Sequence, residues 1–213
     1  MELVLFYTFL SKNRPDKIEA FFNGLPDKLK NNISEYRDAQ ERGLRICSKY
    51  LVEQAFQVFY PFRNLDWNTL KKNKNSKPFL EESDFHFSSS HSGDLCVVAA
   101  NVEYECGIDT ELLKPIDITL YKDFLHAEEW DHLQSSGNLQ KDFYAMWTRK
   151  EAVLKAAGLG IAKDLSEVNT RQKHIWIESR IFCTQEIVIS NEYKIFTAAE
   201  VQADIIRLQE IIM

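Results

Sequence analysis

The chain has 213 residues, 45% of them hydrophobic and 27% charged, with a net charge of −6. That length buries a core without covalent staples, as one large domain or two small ones, and the negative balance argues against wholesale binding to nucleic acid or acidic membrane while leaving room for a local basic patch. The four cysteines, Cys47, Cys96, Cys106 and Cys183, show no CxxC or Cys/His ligand spacing, so they read as small core residues in a reduced, cytoplasmic compartment.

The chain opens on the apolar run MELVLFYTF, too short to span a bilayer and without the basic region and cleavage site of a leader. It reads as a buried first strand over residues 2–9. A helix from about residue 34 to 56 carries Tyr36, Leu44, Cys47, Leu51 and Ala55 on its apolar side. The polar, basic segment NLDWNTLKKNKNSKPFLEES reads mostly as loop. DFHFSSS and DLCVVAANV then form a hairpin around Ser92-Gly93, with β-branched residues in the second arm.

That order repeats further along. EYECGIDTE is a strand, residues 121–134 and 141–157 are helical, and HIWIES, EIVIS and YKIFTAAE are strands. DIIRLQEII closes the chain as a strand or a short helix, its period fitting both. Each half thus reads strand, helices, then antiparallel strands, which predicts an α+β fold with helices on one side of each sheet. No low-complexity linker separates the halves, drawn at residues 1–101 and 102–213, so they are expected to pack tightly.

Three stretches carry residues with chemical potential. On a strand over residues 104–111, Asp109 and Glu111 point to the same face. Two such carboxylates repel unless a proton or cation sits between them, and a hard cation such as Mg²⁺ takes one or two carboxylates plus substrate phosphate. The alternative is a solvated strand end. In the helix AMWTRKEAVLKAAG, Phe143, Met146, Trp147, Val153, Leu154 and Ala157 fall within an apolar arc of roughly 120°, with Lys150 near its middle. An ammonium there must snorkel to water along its neighbours or meet an anion at the edge of the core. Glu151 lies at the edge of the arc with Lys155 one turn on, a pair that alone is an ordinary surface i,i+4 contact. Finally, SSSHSGD places Ser90 and His91 before a glycine. A tight turn there would offer free N–H and O–H donors to a phosphate, or simply expose a histidine to solvent. Lys77, behind Lys71, Lys72 and Lys74, belongs to the only dense basic run.

Together, GIDTE and, forty residues on, WTRKEAVLKAAGLGI resemble the paired signature of the 4′-phosphopantetheinyl transferases. The spacing, the length and the segment FSSSHS are similar to the large, pseudodimeric, surfactin-synthetase-activating type. The resemblance is specific over most of residues 75–165 and diffuse elsewhere. It implies two similar α/β halves in pseudo-twofold relation with coenzyme A in the cleft between them. The implied reaction transfers the 4′-phosphopantetheine arm of coenzyme A to a serine of an apo acyl or peptidyl carrier protein, releasing adenosine 3′,5′-bisphosphate. By the same resemblance Asp109, Glu111 and Glu151 coordinate Mg²⁺, Lys150 and Lys155 contact phosphate and assist transfer, and Glu151 is a base for the carrier serine. Lys77, Ser90 and His91 are assigned to the nucleotide end, with either Arg42 or Arg45 from the long N-terminal helix. Such a chain is a monomer, cytoplasmic, with no nucleic-acid or membrane partner.

This sequence departs from the family pattern in two places. Ser88 stands where the family has Asn, and Ser76 where a Gly often precedes the Lys-Pro. Rival readings are another Mg²⁺-dependent phosphate-transfer enzyme or hydrolase using the same carboxylates, and a non-catalytic carrier-binding module.

Overall fold

The computed structural model describes residues 2–160 and 165–213. Two four-stranded sheets, each packed on one long helix, make an α+β molecule as expected. The first strand, β1 (Glu2–Phe9), is followed by three helices, α1 (Pro15–Gly24), α2 (Asp27–Ser34) and α3 (Ala39–Phe59). Pro15 at the start of α1 fixes a helical φ where no N–H is needed. Asp38 caps α3 by accepting from the Glu41 N–H. The segment expected to be loop contains the small hairpin β2 (Leu70–Lys72) and β3 (Pro78–Leu80). The hairpin read around Ser92-Gly93 is β4 (His86–Ser92) and β5 (Leu95–Asn101), with Gly93 at φ +58° in the turn.

The second half begins with β6 (Cys106–Leu112), followed by α4 (Ala127–Gln134), α5 (Leu139–Ala157), β7 (His174–Ile177), β8 (Arg180–Glu186) and β9 (Tyr193–Ala199). Residues 118–124 form a 3₁₀ segment ahead of α4 instead of one helix over 121–134. EIVIS is not a strand beyond Glu186. The preceding residues of β8 pair instead, Ile175 facing Phe182 and Gln185 facing Thr197. Ile187 still buries its side chain and its N–H donates to Ile195 O at 2.9 Å, so the apolar alternation marked a half-buried connection.

The strand order β1-β5-β4 in the first sheet recurs as β6-β9-β8 in the second, with α3 and α5 in matching places. The last strand, β10 (Ile205–Glu210), departs from the division at 101/102: it crosses back and pairs in parallel with β1. Two apolar clusters fill the spaces between each sheet and its helix. A third, with Leu3, Leu5 and Val97 from one sheet and Ile108, Ile195 and Ile187 from the other half, joins the two sheets. Cys47, Cys96 and Cys106 are buried and all four thiols are free; burial raises Cys47 and Cys106 to about 12, which suits inert core residues.

The seam between the sheets runs along β4 and β6, and the serine run explains it. Residues alternate along β4, so Ser88, Ser90 and Ser92 face β6 while Ser89 and His91 share the opposite face. The hydroxyls of Ser88 and Ser92 accept the edge N–H groups of Ile108 and Leu112, each at 3.1 Å. They supply partners that the edge of β6 would otherwise lack. Ser88, at the position where the resemblance has Asn, is therefore a buried bridge within a strand.

On the other side, β6 lies almost against α5. A Cβ on Gly107 would sit 2.0 Å from Ala152 O and 2.5 Å from Ala156 N. Neither backbone atom can yield, so only glycine permits this approach. It brings Asp109 and Glu111 beside the helix that carries Glu151 and Lys155.

Candidate active site

Asp109 stands at the centre. It is 5% exposed, and its Oδ1 accepts from Lys155 Nζ and from Ser90 Oγ, each at 2.7 Å. Its Oδ2 is buried with no hydrogen-bond partner among the described residues. One strand step on, Glu111 Oε2 accepts from Ser92 Oγ at 2.9 Å. Glu151, on the face of α5 opposite these, completes the acidic set. Burial, with the charge of Asp109 next, raises the carboxyls of both Glu111 and Glu151 above their ordinary range. Three carboxyl groups thus share a low-dielectric cleft with the ammonium of Lys155.

Among the described residues no three His, Cys, Asp or Glu side chains are drawn close enough together to hold a metal ion. The expected ligands face one cleft but do not converge, because like charges separate and Lys155 neutralises Asp109. The donor set nevertheless suits a hard divalent cation: all oxygen, with one orphaned buried carboxylate oxygen and two carboxyls made costly to ionise. A cation bound there would relieve all three.

Next to the carboxylates lies a polar cavity of about 300 Å³, lined by Arg45, Ser48, Lys49, Ser89, Ser90, His91 and Lys155. A second cavity of about 200 Å³ shares Ser89 and Lys155 with it and runs past Lys77, Phe87 and Gly158. Together they form a cleft between the two halves. A separate, larger apolar cavity of about 780 Å³ lies between α1, α2 and the adjoining face of α3.

Helix phase turns the two arginines toward different cavities. Arg45 lines the polar cavity, its guanidinium 3.7 Å from the centre of the Tyr36 ring and its Nε 2.7 Å from Glu41 Oε1. Arg42 turns toward the apolar cavity and donates to the carbonyls of Tyr36 and Arg37 at 2.7 and 2.8 Å. His91, on a strand and not in a turn, has Nε2 3.6 Å from Glu41 Oε1. Burial lowers its ring below the ordinary histidine range, so the neutral form prevails near pH 7 and its N–H can still donate to a ligand.

Lys77 is positioned by a loop tied to the end of α5. Asn73 and Asn75 both donate to Gly158 O, at 3.1 and 2.9 Å, where Gly158 ends α5 at φ +70°. Its ammonium pairs with Glu105 and reaches Cys106 O and Ala156 O at 3.2 and 3.3 Å. Ser76, where the resemblance has Gly, holds φ +69°, a left-handed conformation that glycine adopts without strain. Ile161, the last residue of the long motif, lies outside the described residues.

Lys150 is the correction. It is not in the cleft. Its side chain is 0% exposed and its Nζ donates to Glu129 Oε2 at 2.7 Å, to Leu165 O at 2.8 Å and to Phe124 O at 3.1 Å. Glu129, equally buried, also accepts from the N–H and hydroxyl of Thr170. The anion that draws Lys150 into the apolar stripe is a carboxylate of α4. Neither snorkelling nor a ligand phosphate is needed.

The sequence reading missed Glu129 and Lys49. Lys49 follows Arg45 by four residues, so helical spacing alone placed both on one face.

Residues 105–204 match the family model of the 4′-phosphopantetheinyl transferase superfamily. The chain is 34% identical over 158 residues to the 4′-phosphopantetheinyl transferase gsp of Aneurinibacillus migulanus, covering 73% of this chain and 60% of that protein. It is 39% identical over 100 residues to the 4′-phosphopantetheinyl transferase psf-1 of Bacillus pumilus, covering 46% of this chain and 42% of the relative. With the 4′-phosphopantetheinyl transferase HetI of a Nostoc strain it shares 44% over 95 residues, 41% of this chain and 40% of that one. The matched stretches thus span about half the length of these relatives.

Proposed function

We propose, on the premise that this chain belongs through residues 105–204 to the 4′-phosphopantetheinyl transferase superfamily, that it moves the phosphopantetheine arm of coenzyme A onto a serine of an apo acyl or peptidyl carrier protein. The observation that carries this reading is the pairing of an acidic cleft, Asp109 with an unpartnered oxygen beside Glu111 and Glu151, with an adjoining basic cavity. A diphosphate ester with a further phosphate on its nucleotide needs both.

In this reading Arg45, His91 and Lys77 hold the nucleotide end, and Lys155 moves between Asp109 and the diphosphate. Magnesium, held by Asp109, Glu111 and Glu151, would compensate the charge that builds on the leaving phosphate. Glu151, with its carboxyl already raised, can take the proton of the attacking serine directly or through a water. Lys155 is poised for the shift in charge because its present partner, Asp109, lies in the same cleft. A hydrolase would instead pass water to the same phosphorus. Nucleotide analysis separates the two: adenosine 3′,5′-bisphosphate should form only when an apo-carrier is present. Equal release without carrier would favour hydrolysis.

His91→Ala should raise the KM for coenzyme A more than it lowers kcat, since a contact to the remote phosphate supplies uniform binding. Dephospho-coenzyme A should erase the difference between variant and wild type. A penalty that persists with that substrate would put His91 in another role.

For the carrier we infer a docking surface over residues 112–125. Leu113, Ile116 and Ile118 pack into the cluster under α4 and α5. Leu120, 72% exposed, and Phe124, 45% exposed, remain as apolar anchors. Lys114 and Lys122 add positive charge for an acidic partner, Lys122 lying 5.5 Å from the centre of the Trp130 ring. Lys114→Glu with Lys122→Glu should raise the KM for the carrier and flatten its salt dependence, leaving that for coenzyme A unchanged. Equal effects on both substrates would move the docking site elsewhere.

A further inference from the structure

Lys49 is the one cation of the polar cavity with a structural peculiarity that the reaction as described does not use. The other three are committed locally: Arg45 to Glu41, His91 toward the same carboxylate, and Lys155 to Asp109. Lys49 has no hydrogen bond or ion pair among the described residues, although it is half-buried and lines the cavity. The charged groups around it are unhelpful. Arg45 on its own helix and Lys72 on β2 repel it, and the buried Cys96 thiol on β5 stays protonated. His91 on β4 and Lys155 on α5 line the same cavity without offering an anion. Burial pulls its ammonium down to about 8. A half-buried ammonium set among other cations is costly to keep, and an anion entering the cavity offsets that cost.

We propose that Lys49 is a specificity-determining residue of the nucleotide pocket, a proton-gated cation that grips a dianionic phosphate ester while charged and releases its hold on deprotonation. This rests on the coenzyme A reading and goes beyond it, because it assigns a further residue and a pH-dependent grip on both the substrate and the bisphosphate product. The sign follows from Lys49 alone. A phosphate monoester is already dianionic above about pH 7, and His91 is neutral there. Between pH 7 and 9 the free protein loses the Lys49 proton, and the ligand must then bind with proton uptake, costing about tenfold in affinity per pH unit well above the Lys49 value.

The test measures binding of adenosine 3′,5′-bisphosphate and of adenosine 5′-monophosphate by calorimetry to wild type, Lys49→Met and Lys49→Arg, at pH 7 and pH 9. Lys49→Met should weaken the bisphosphate at pH 7 by about tenfold or more, as for a lost charge-assisted hydrogen bond, and the monophosphate far less. Lys49→Arg, which stays charged, should retain the preference for the bisphosphate and abolish the weakening from pH 7 to 9. Wild type should take up a proton on binding near pH 9, read from heats in two buffers, and Lys49→Arg should not. Equal losses for both ligands, or a pH dependence that survives in Lys49→Arg, would overturn the proposal while leaving the coenzyme A reading standing. Failure of wild type to bind the bisphosphate at either pH would overturn both.

Discussion

Glu129→Ala will destabilise the protein by about 3–5 kcal/mol, because it removes a buried carboxylate 2.7 Å from the buried ammonium of Lys150. Both side chains are 0% exposed, so solvent cannot replace the lost partner. Among the described residues the carbonyls of Phe124 and Leu165 also accept from this ammonium, and a neutral acceptor does not neutralise a charge. Glu129 also holds the backbone and hydroxyl of Thr170, so the loop after α5 loosens with it. Chemical denaturation reads the effect. The double variant Glu129→Gln with Lys150→Met should recover most of the loss, since removing both charges of a buried pair is far cheaper than removing one, and Gln keeps an acceptor for Thr170. The same double variant also tests the placement of Lys150. If that ammonium only braces α4, α5 and the following loop, the KM for coenzyme A stays near wild type. A large rise in KM with stability recovered would return Lys150 to the phosphate site.

On the proposed function, Asp109→Ala should abolish measurable transfer, a loss of about 10³-fold, by removing a proposed cation ligand and releasing Lys155 from its place. Glu151→Ala should do the same. The fold should survive, because the seam is also held by Ser88, Ser92 and the apolar cluster between the sheets. A second readout needs no turnover. Glu111 and Glu151 have raised carboxyls in the folded protein. Groups of this kind contribute stability that is fully present below the unfolded carboxylate range and is lost as pH rises through the folded values. Without added cation the melting temperature should therefore carry a decline from mildly acid pH upward that magnesium offsets at pH 7. In Asp109→Ala the magnesium effect should vanish and the decline flatten, since the charge of Asp109 helps to raise both carboxyls. Near-normal turnover of either variant at saturating magnesium would contradict the metal assignment.

How far the sequence could be read depended on whether a contact was local. Period-two alternation located β1, β4, β5, β6 and β9, and the apolar arc located α5, because those signals are written within one element. The same logic put Asp109 with Glu111, and Glu151 with Lys155, on common faces. It could not find the partner of Lys150, since Glu129 lies 21 residues away on another helix and its own helical pattern marks it as an ordinary charged residue. The two N-terminal helices were missed: α1 buries no residue fully and α2 only Ile33, so neither has a strong stripe. EIVIS alternates like a strand but is used as a connection, a tertiary choice that propensity does not encode. Hydroxyl residues favour turns, so the serine run reads as a turn from sequence alone. Its use as a ladder of acceptors along the edge of β6 is visible only once the two sheets meet. Gly107 carries no signal in sequence beyond being a glycine in a strand, yet it sets the distance between the acidic strand and α5.

The account stands or falls on the transfer itself. The protein should be incubated with magnesium, coenzyme A and a panel of apo-carriers from fatty-acid, polyketide and nonribosomal-peptide systems, and each carrier weighed intact. The account predicts a gain of one phosphopantetheine on at least one carrier, absent when magnesium is chelated and absent with Asp109→Ala. Unchanged carrier masses across the panel, under conditions in which coenzyme A binds, would contradict it.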